Sequence, residues 1–491
     1  MIADLKALLV ILVIAAAVFI AARPLCLHFM SAPDFARRRN VWFALTAFAF
    51  VCPNYWLFIL GTGLVYVWSS RRDSNPLALY LLMLHVIPPS GLEIPPMGST
   101  RFFDLDNYRL LALTVLLPFA IKASTRLAGE EKQKFSWMDI FLLAYGALQL
   151  ILLLPYESVA STTRRTFLFA VDNWLIYYAF SRGVRSSRML LEAMAAFCLA
   201  CAIYAPLAAF EAIKVWPLYG GLADKWGLAE TAYVFRGSSL RALASAGHPL
   251  ALGYLMSIGF GFWLMLRLQV DSWKVTLVVA MWMWLGLVAA YSRAPWLVAM
   301  FIFFCFLALQ PGGTSKLLKA LLIGAVLGGV VLASPFGEKI IDSLPFVGTV
   351  DSETVVYRQR LADVSWRLIE QNPLFGDPFA LNYMEEMRQG EGIIDLVNTF
   401  ATIALFQGLV GVTLFSGVFV MALWNVFWSL RRWVGADRRF ALVGANLLAC
   451  IAGTLIMMVT GSFGTGLAAL SWVLAGMASS YSRLAWAPQA E

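Results

Sequence analysis

The chain has 491 residues, of which 60% are hydrophobic and only 13% are charged. A soluble domain keeps about a quarter of its residues charged, so this composition excludes an ordinary soluble protein. The net charge of +8 does not indicate nucleic-acid binding, because the basic residues gather in short loops between apolar runs. We therefore predict an all-α, polytopic membrane helical bundle that forms a single membrane domain over residues 1–491.

The apolar runs predict about 12 to 15 membrane-spanning helices, since a span needs about 20 apolar residues and several runs are short. The stretch "FVCPNYW" (50–56) allows two interpretations, a tight turn between two half-length spans or a break in one long helix. In chain order, the predicted spans lie near residues 5–22, 41–52, 54–69, 76–88, 106–122, 137–155, 166–181, 189–212, 248–266, 275–291, 295–310, 320–334, 396–427, 440–460 and 465–481.

The distribution of basic residues predicts the orientation of the bundle. Short basic loops stay in the cytoplasm, and these loops alternate consistently if residues 50–56 turn on the opposite side. Two long loops, 213–247 and 335–395, are then extracytoplasmic, and their size predicts that the function lies there. The basic loops are 37–40, 69–73, 122–134, 181–188, 316–319 and 431–439.

The cysteines and histidines do not indicate a metal centre. The six cysteines lie in or beside apolar runs, where buried and inert thiols are expected. The three histidines are not spaced as metal ligands. We therefore expect no metal site and no cofactor.

The first long loop ends in "FRGSSLRALASAGHPLALGY", which gathers candidate anion-binding residues. Arg236 and Arg241 carry guanidinium groups, whose planar donors suit a phosphate or a diphosphate. Gly247 allows close backbone approach, and His248 with the proline after it opens the next helix, whose free N–H groups favour an anion. Each arginine alone could instead extend towards lipid headgroups. The cluster favours anion binding.

The stretch "AAYSRAPWLVAM" places Arg293 between two apolar runs. The connection is so short that this charge cannot retreat far into water, and a charge at such depth is costly. One alternative is an interfacial anchor beside Trp296, a common pairing at membrane boundaries. We expect Arg293 to be functional.

The second long loop contains "VVYRQRLADVSWRLIEQNPLFGDP", which predicts an amphipathic helix. Leu361, Val364 and Leu368 recur at helical spacing, and two prolines and a glycine end the helix. Arg358 and Arg360 on this helix are candidates for substrate binding. The alternative is a surface helix that lies on the bilayer and is held by ion pairs of little energy.

Asp172 lies within the apolar run "FAVDNWLIYY". A carboxylate inside a membrane segment marks either a site or a structural pair. Arg164 or Arg165, near the outer end of the same run, is its expected partner.

Four segments of the second half occur in a fixed order: "RGSSLRALASAGHP", "SRAPWL", "NPLFGDP" and "VNTFATIALFQGLVG". With the two long loops, they resemble the bacterial O-antigen ligase and O-antigen or exopolysaccharide polymerase superfamily. The similarity covers roughly residues 235–430, whereas the first half is similar only in hydropathy. The resemblance implies a GT-C-like membrane architecture.

The chain both fits and departs from the motifs of that superfamily. Arg236 and Gly247 match the R-x10-G pattern of its polymerases. Its H-x10-G pattern would place a histidine at 397, where this chain has Val397, followed by Asn398 and, at the matching distance, Gly408. The absent histidine, which we associate with ligases, favours a polymerase.

The resemblance implies glycosyl transfer from a saccharide on undecaprenyl diphosphate to a hydroxyl of a growing polysaccharide, without a nucleotide sugar or a metal. Fixed arginines would stabilise the leaving diphosphate. Without a histidine at 397, Asp395 and His248 are the candidate catalytic bases. The candidate diphosphate- or substrate-binding residues are Arg236, Arg241, Arg293, Arg358, Arg360 and Asn398.

The resemblance also implies a location and partners. The protein would be a multi-pass protein of the bacterial inner membrane with its site facing the periplasm. Its partners would be the lipid-linked oligosaccharide, the polysaccharide acceptor, the lipid bilayer, and a chain-length regulator with other export proteins, and no nucleic acid.

Three alternatives stay open at the level of the sequence. One is ligase-type transfer to another acceptor. A second is a transporter or flippase for a lipid-linked saccharide, which should line a central cavity with deep charges. A third is a relative that has lost catalysis and serves as an assembly partner.

Overall fold

The computed structural model of the chain describes residues 2–89, 91–93, 104–127, 135–226, 235–236, 239–334, 352–388, 394–461 and 465–486. Within these ranges the protein is a bundle of helices with two small antiparallel strand pairs. Strand β1 (Gly91–Glu93) pairs with β2 (Asp104–Asp106), and β3 (Phe235–Arg236) pairs with β4 (Ser239–Leu240).

The first half of the bundle contains eleven described helices. They are α1 (Ile2–Cys26), α2 (Ala32–Val51), α3 (Tyr55–Arg72), α4 (Pro76–Met83), α5 (Asn107–Leu111), α6 (Leu117–Leu127), α7 (Trp137–Leu153), α8 (Val159–Phe169), α9 (Leu175–Gly183), α10 (Ser187–Lys214) and α11 (Gly220–Lys225). Two turns of π-helix join α5 to α6 (Ala112–Leu116) and α8 to α9 (Ala170–Trp174).

The described helices of the second half follow the arginine-containing loop. They are α12 (Pro249–Leu266), α13 (Trp273–Ala289), α14 (Arg293–Ala308), α15 (Gly313–Leu332), α16 (Ser352–Gln371), α17 (Thr399–Ala436), α18 (Arg438–Thr460) and α19 (Thr465–Trp486). Short 3₁₀ turns occur at Arg267–Gln269, Ala380–Tyr383 and Glu385–Met387.

Seven of the described helices are long and apolar enough to cross a membrane, and three shorter helices are also apolar. The predicted all-α membrane bundle is confirmed. The number of long apolar helices is lower than the 12 to 15 predicted spans, because several apolar runs fold into short helices such as α4, which has 8 residues.

Residues 52–54 form a turn between two separate helices, so "FVCPNYW" contains a turn and not a break in one long helix. The predicted half-length of the two spans is wrong. The flanking helices α2 and α3 have 20 and 18 residues and are not half-length. The side-chain oxygen of Asn54 accepts hydrogen bonds from the N–H groups two and three residues later, at 2.9 and 3.1 Å. This N-cap satisfies the exposed donors at the start of α3.

One end of the bundle carries a buried ion-pair network. The guanidinium of Arg38 lies 2.6 Å from Asp73 and 2.8 Å from Glu192. These contacts join the basic segment 37–40, which lies in α2, and the segment 69–73, at the end of α3, to the first turns of α10. Two of the six basic segments that the charge pattern assigned to one face therefore lie together.

The first long loop lies at the other end of α2. Lys225 donates to the carbonyl oxygens of Ala49 and Phe50 at 3.4 and 2.9 Å, and the Trp226 ring stacks on Phe58 at 5.0 Å. The turn at 50–56 thus shares a face with the first long loop, as the alternation of charges predicted.

The predicted amphipathic helix is α16. Leu361 and Val364 are buried in a small cluster, the satellite core, which also contains Ala404 and Leu405 of α17. Arg358 and Arg360 lie on the exposed side of the helix. The second long loop is therefore attached to the bundle through the first turns of α17.

The predicted partner of Asp172 is wrong. Its carboxylate pairs with Arg109 of α5, with three nitrogen–oxygen distances between 2.9 and 3.2 Å. Arg165 turns back to Glu157 in its own loop, at 2.6 Å. The choice between Arg164 and Arg165 used only proximity in sequence, whereas the partner comes from a neighbouring helix.

The thiols behave as buried apolar groups. Cys198 and Cys201, which lie three residues apart on α10, approach the carbonyl oxygens of Gly259 and Leu255 on α12 at 3.3 and 3.4 Å. They therefore pack one helix against another.

Candidate functional site

Glu211 of α10 fixes both ends of the first long loop. Its carboxylate accepts the N–H of Leu218 at 2.8 Å and those of Leu243 and Ala244 at 2.9 and 2.7 Å. The residue is 1% exposed. Because three backbone N–H groups share this one side chain, it positions the backbone that follows Arg241.

The segment 235–248, which we call the arginine loop, lies against the connection between α13 and α14. The N–H of Ala242 donates to the carbonyl of Ala289 at 3.0 Å. The guanidinium carbon of Arg236 lies 5.7 Å from the centre of the Tyr291 ring, a cation–π geometry. The half-buried Arg236 is thereby fixed to the α13–α14 connection.

Arg293 begins α14, two residues after Tyr291, and is half-buried. Helix α14 packs tightly on α12, because a Cβ at Gly253 would lie 2.7 Å from Pro295. The hydroxyl of Ser257 also donates to the Pro295 carbonyl at 2.8 Å. The start of α14 is therefore held in place beside the arginine loop.

His248 caps α12 and is poorly suited to act as a base. Its Nδ1 accepts the N–H of Leu250 at 3.1 Å. Burial and the positive charge of Arg241 lower the pKa of His248 to about 4, so the ring is neutral at pH 7. Because Nδ1 is the acceptor, the proton of the neutral ring is on Nε2. The preceding Gly247 has a φ of 75°, and a Cβ there would overlap Pro89.

Asp395 lies in the second loop, just before α17. Its N–H donates to the hydroxyl of Tyr357 at 3.2 Å. Burial raises the pKa of Asp395, and the neighbouring Arg358 partly offsets this effect. A carboxylate with a raised pKa is a stronger base than an exposed one. Arg360 is exposed on the same helix.

Asn398 and Val397 have structural contacts at the start of α17. The side-chain oxygen of Asn398 accepts the N–H groups of Phe400 and Ala401 at 2.9 and 3.1 Å, which caps the helix. Val397 packs against the satellite core. The structure therefore gives Asn398 a capping role beside its predicted role in substrate binding.

Helix α17 is broken at Gly408, whose φ of 63° and ψ of −168° are not helical. The break would leave the N–H groups of Leu409 and Val410 without partners inside the helix. They donate instead to the carbonyls of Pro373 and Leu374, at 2.8 and 3.2 Å. The "NPLFGDP" turn therefore completes the hydrogen bonding of the broken helix.

The contact also runs in the other direction. The N–H of Asp377 donates to the carbonyl of Leu405 at 2.7 Å. Gly376 has a φ of 66°, and a Cβ there would lie 2.7 Å from the backbone nitrogen of Gly408. Two segments selected from the sequence as separate motifs thus form one interlocked unit.

Gly461, at the end of α18, contacts both the start of α17 and the start of α12. The hydroxyl of Thr399 donates to its carbonyl at 3.0 Å. A Cβ at Gly461 would lie 2.8 Å from the side chain of Leu250, two residues after His248. The start of α17, which follows Asp395, and the start of α12 therefore approach the same point.

The structure arranges the candidates in two adjoining groups. The first contains the arginine loop and the start of α14, and the second contains the start of α17 and α16. Sequence reasoning missed Glu211, although a carboxylate in an apolar run was a usable signal. It also missed the contact of Arg236 with Tyr291, for which the sequence carries no signal. The first group is Arg236, Arg241, His248 and Arg293, and the second is Arg358, Arg360, Asp395 and Asn398.

Residues 278–416 match the family model described as O-Antigen ligase. This stretch includes Arg293, Asp395 and the break at Gly408, whereas the arginine loop precedes it. No curated protein matches the chain. The chain thus contains an O-antigen ligase family domain, and the resemblance found in the sequence is confirmed.

Proposed function

We propose that this multi-pass membrane protein with an O-antigen ligase family domain is a polysaccharide polymerase. It transfers saccharide repeat units from undecaprenyl diphosphate to a growing glycan at the periplasmic face of the bacterial inner membrane. The main support is the contact of the arginine loop with the α13–α14 connection, because it brings Arg236 and Arg293 to adjoining segments.

The arginines suit the leaving group of this reaction. When the bond between the anomeric carbon and the phosphate oxygen breaks, the lipid diphosphate takes the electron pair and gains negative charge. Arg236, Arg241 and Arg293 are half-buried, and the Arg236 guanidinium is held against the Tyr291 ring, so little reorganisation is needed to stabilise that charge. A single guanidinium group can also bind two phosphate oxygens at once.

The acceptor hydroxyl supplies the attacking oxygen, and its proton must pass to a base. Asp395 is the better candidate, because its carboxylate is half-buried and has a raised pKa. His248 is disfavoured, since its Nδ1 already accepts the N–H of Leu250. In this mechanism Arg358 favours the ionised form of Asp395 and offsets part of the effect of burial on its pKa.

Val397 favours polymerisation over ligation. Val397 packs against the satellite core and offers no proton acceptor, whereas a histidine at this position is the feature that we associate with ligases. In this proposal the base is supplied by Asp395, and the acceptor is the next repeat unit. The surrounding bilayer holds the polyprenyl chain, and a chain-length regulator and export proteins act on the product.

The test is in-vitro elongation by the purified protein in nanodiscs, given lipid-linked repeat units from a strain that lacks this gene. We expect a ladder of products that grow by whole repeat units. Single transfer to a separate lipid acceptor would indicate a ligase instead. No transfer to either acceptor would reject the enzyme and leave a transporter or an assembly partner.

A further inference from the structure

An open groove lies on the outside of the bundle between α2 and α3, far from the matched domain in the sequence. It has a volume of about 690 Å³. The turn at 52–54 makes these two neighbouring helices antiparallel, so the first turns of α2 lie beside the last turns of α3. This is the end of the two helices that carries the buried pair of Arg38 and Asp73.

Each helix presents one face to the groove, and each face is polar at one end and apolar at the other. The lining residues of α2 follow helical spacing and are Arg37, Asn40, Val41 and Ala44. Those of α3 do the same and are Leu64, Val65, Trp68 and Arg72. Seven or eight residues of helix rise about 10 to 12 Å, so the groove extends about that far from its arginines to its apolar end.

The polar end of the groove holds guanidinium groups in fixed positions. The guanidinium carbon of Arg72 lies 4.5 Å from the centre of the Trp68 ring. Stacking uses the flat face of a guanidinium and leaves the N–H donors at its edge for a second contact. The side-chain oxygen of Asn40 accepts two N–H groups of Arg39, at 3.1 and 2.9 Å. This arrangement suits the oxygens of a phosphate group.

The neighbouring acidic side chains do not reverse the charge of this end. Asp34 pairs with Arg37, and Asp73 pairs with Arg38. The side chains of Asp34 and Asp73 are 6% and 0% exposed, so both carboxylates lie inside the protein. Arg72 is exposed. The surface that the polar end presents to its surroundings is therefore positive.

The other end of the groove continues into an apolar surface. Leu57, Leu60 and Leu64 recur on one face of α3 and are 54%, 67% and 73% exposed. An exposed apolar face of this kind on a membrane protein indicates contact with lipid. A free anion would leave this apolar end unused, and an apolar helix of another protein would bring no charge to the arginines. The two ends together favour a ligand with an anionic head and a hydrocarbon tail.

The size of the groove fits such a ligand. An engineered cavity of about 150 Å³ holds the six carbon atoms of benzene, so a space of this size takes roughly 25 atoms on the same scale. One acyl chain and a phosphate group fit within that number. Because the groove is open along its length, a second acyl chain can remain in the surrounding bilayer.

We propose that this groove binds an anionic glycerophospholipid. The phosphate lies between Arg37 and Arg72, and one acyl chain extends along Val41, Ala44 and Leu64. Basic pockets between membrane helices bind anionic head groups in this way. The distribution of basic residues predicts that this end faces the cytoplasm, so the lipid would belong to the cytoplasmic leaflet. The site does not depend on the proposed polymerase activity.

The experiment is native mass spectrometry of the purified full-length protein, titrated with palmitoyl-oleoyl phosphatidylglycerol. The matched probe is palmitoyl-oleoyl phosphatidylcholine, which has the same acyl chains and no net charge. We expect phosphatidylglycerol to bind with a Kd at least fivefold lower. Arg72→Ala removes a guanidinium, and Ala44→Phe fills the apolar end without a change of charge. Each variant should raise the Kd of phosphatidylglycerol about fivefold.

The control variant is Arg439→Ala. It removes an exposed arginine from the basic segment 431–439, outside the groove. The Kd of phosphatidylglycerol should stay that of the wild type, because a general attraction of anionic lipid to basic residues would weaken equally in Arg72→Ala and Arg439→Ala. Ala44 and Arg72 are both exposed, so we expect both groove variants to fold, and either one alone decides the test.

Four results would overturn the proposal. They are equal Kd values for the two lipids, a phosphatidylglycerol Kd that neither groove variant changes, competition by free glycerol 1-phosphate at the concentration of the whole lipid, and a dimer that Ala44→Phe dissociates. The third result would indicate a site for a free anion, and the fourth would indicate a second copy of the chain. Elongation of lipid-linked repeats is measured separately, so either proposal can fail without the other.

Discussion

Gly376 and Gly408 lie with their backbones in direct contact, and each has a positive φ. A Cβ at Gly376 would lie 2.5 Å from the carbonyl oxygen of Leu405, and a Cβ at Gly408 would overlap Leu374. Both positions therefore need glycine for conformation and for space. The contact joins the second long loop to α17 through backbone groups alone.

Replacing either glycine should destabilise the protein. Gly408→Ala forces a side chain into the left-handed region and against Leu374, at a cost of about 1 to 3 kcal/mol. We expect a lower melting temperature in detergent and faster proteolysis of the loop. The matched control is Gly324→Ala, since nothing lies within 4 Å of a Cβ there. Equal melting temperatures for both variants would contradict the contact.

Each arginine of the first group should be essential for elongation. Arg236→Ala, Arg241→Ala and Arg293→Ala should each lower the elongation rate at least 100-fold, because a fixed donor to a developing negative charge contributes about 3 to 4 kcal/mol. The readout is the rate of ladder formation by purified protein. Arg188→Ala, at an exposed position on α10, is the control. Normal chain lengths in all three variants would reject the proposed role.

Glu211 should act as a positioning residue for the arginine loop. Glu211→Gln keeps the shape but places an NH₂ group opposite backbone N–H groups, so at least one of three hydrogen bonds is lost. We expect faster amide exchange at residues 241–248 and a higher KM for the lipid-linked donor. Glu386→Gln, an exposed position, serves as the control and should change neither quantity.

Elongation should depend on the ionisation of Asp395. The base works only when ionised, so activity should rise with pH through a pKa that burial raises above that of an exposed aspartate. Arg358 lowers that pKa, and Arg358→Ala should therefore move the acidic limb of the profile to higher pH. Asp395→Asn should abolish the activity.

The same pH profile distinguishes the two candidate bases. His248→Asn keeps an effective N-cap for α12 and removes the imidazole. The acidic limb should stay where it is in the wild type. A limb that disappears in this variant, with a normal profile in Arg358→Ala, would identify His248 as the base.

The sequence predicted those features that depend on neighbouring residues. Leu361 and Val364 recur at helical spacing, and the amphipathic α16 buries them. The start of α12 directly after His248 also follows from the proline at its first position. Helical periodicity and capping are local, so they survive in a single sequence.

Contacts between segments far apart in the chain could not be predicted from the sequence. The partner of Asp172 proved to be Arg109, because helix neighbours are set by the packing of the whole bundle. The spacing from Val397 to Gly408 was recognised in the sequence, but its structural role was not. It places the break in the helix where another loop completes the hydrogen bonds. The sequence alone does not indicate that these two segments are in contact.

The break at Gly408 divides α17 into parts with different neighbours. The part before it contributes Ala404 and Leu405 to the satellite core with α16, although Ile403 also lies in the main core, whereas the part after it packs in the main core with α18 and α19. The described residues 352–388 and 394–407 thus share a small core of their own beside the main bundle. We expect sequence variation in this unit to alter which glycan is accepted, while the surrounding bundle of helices stays the same.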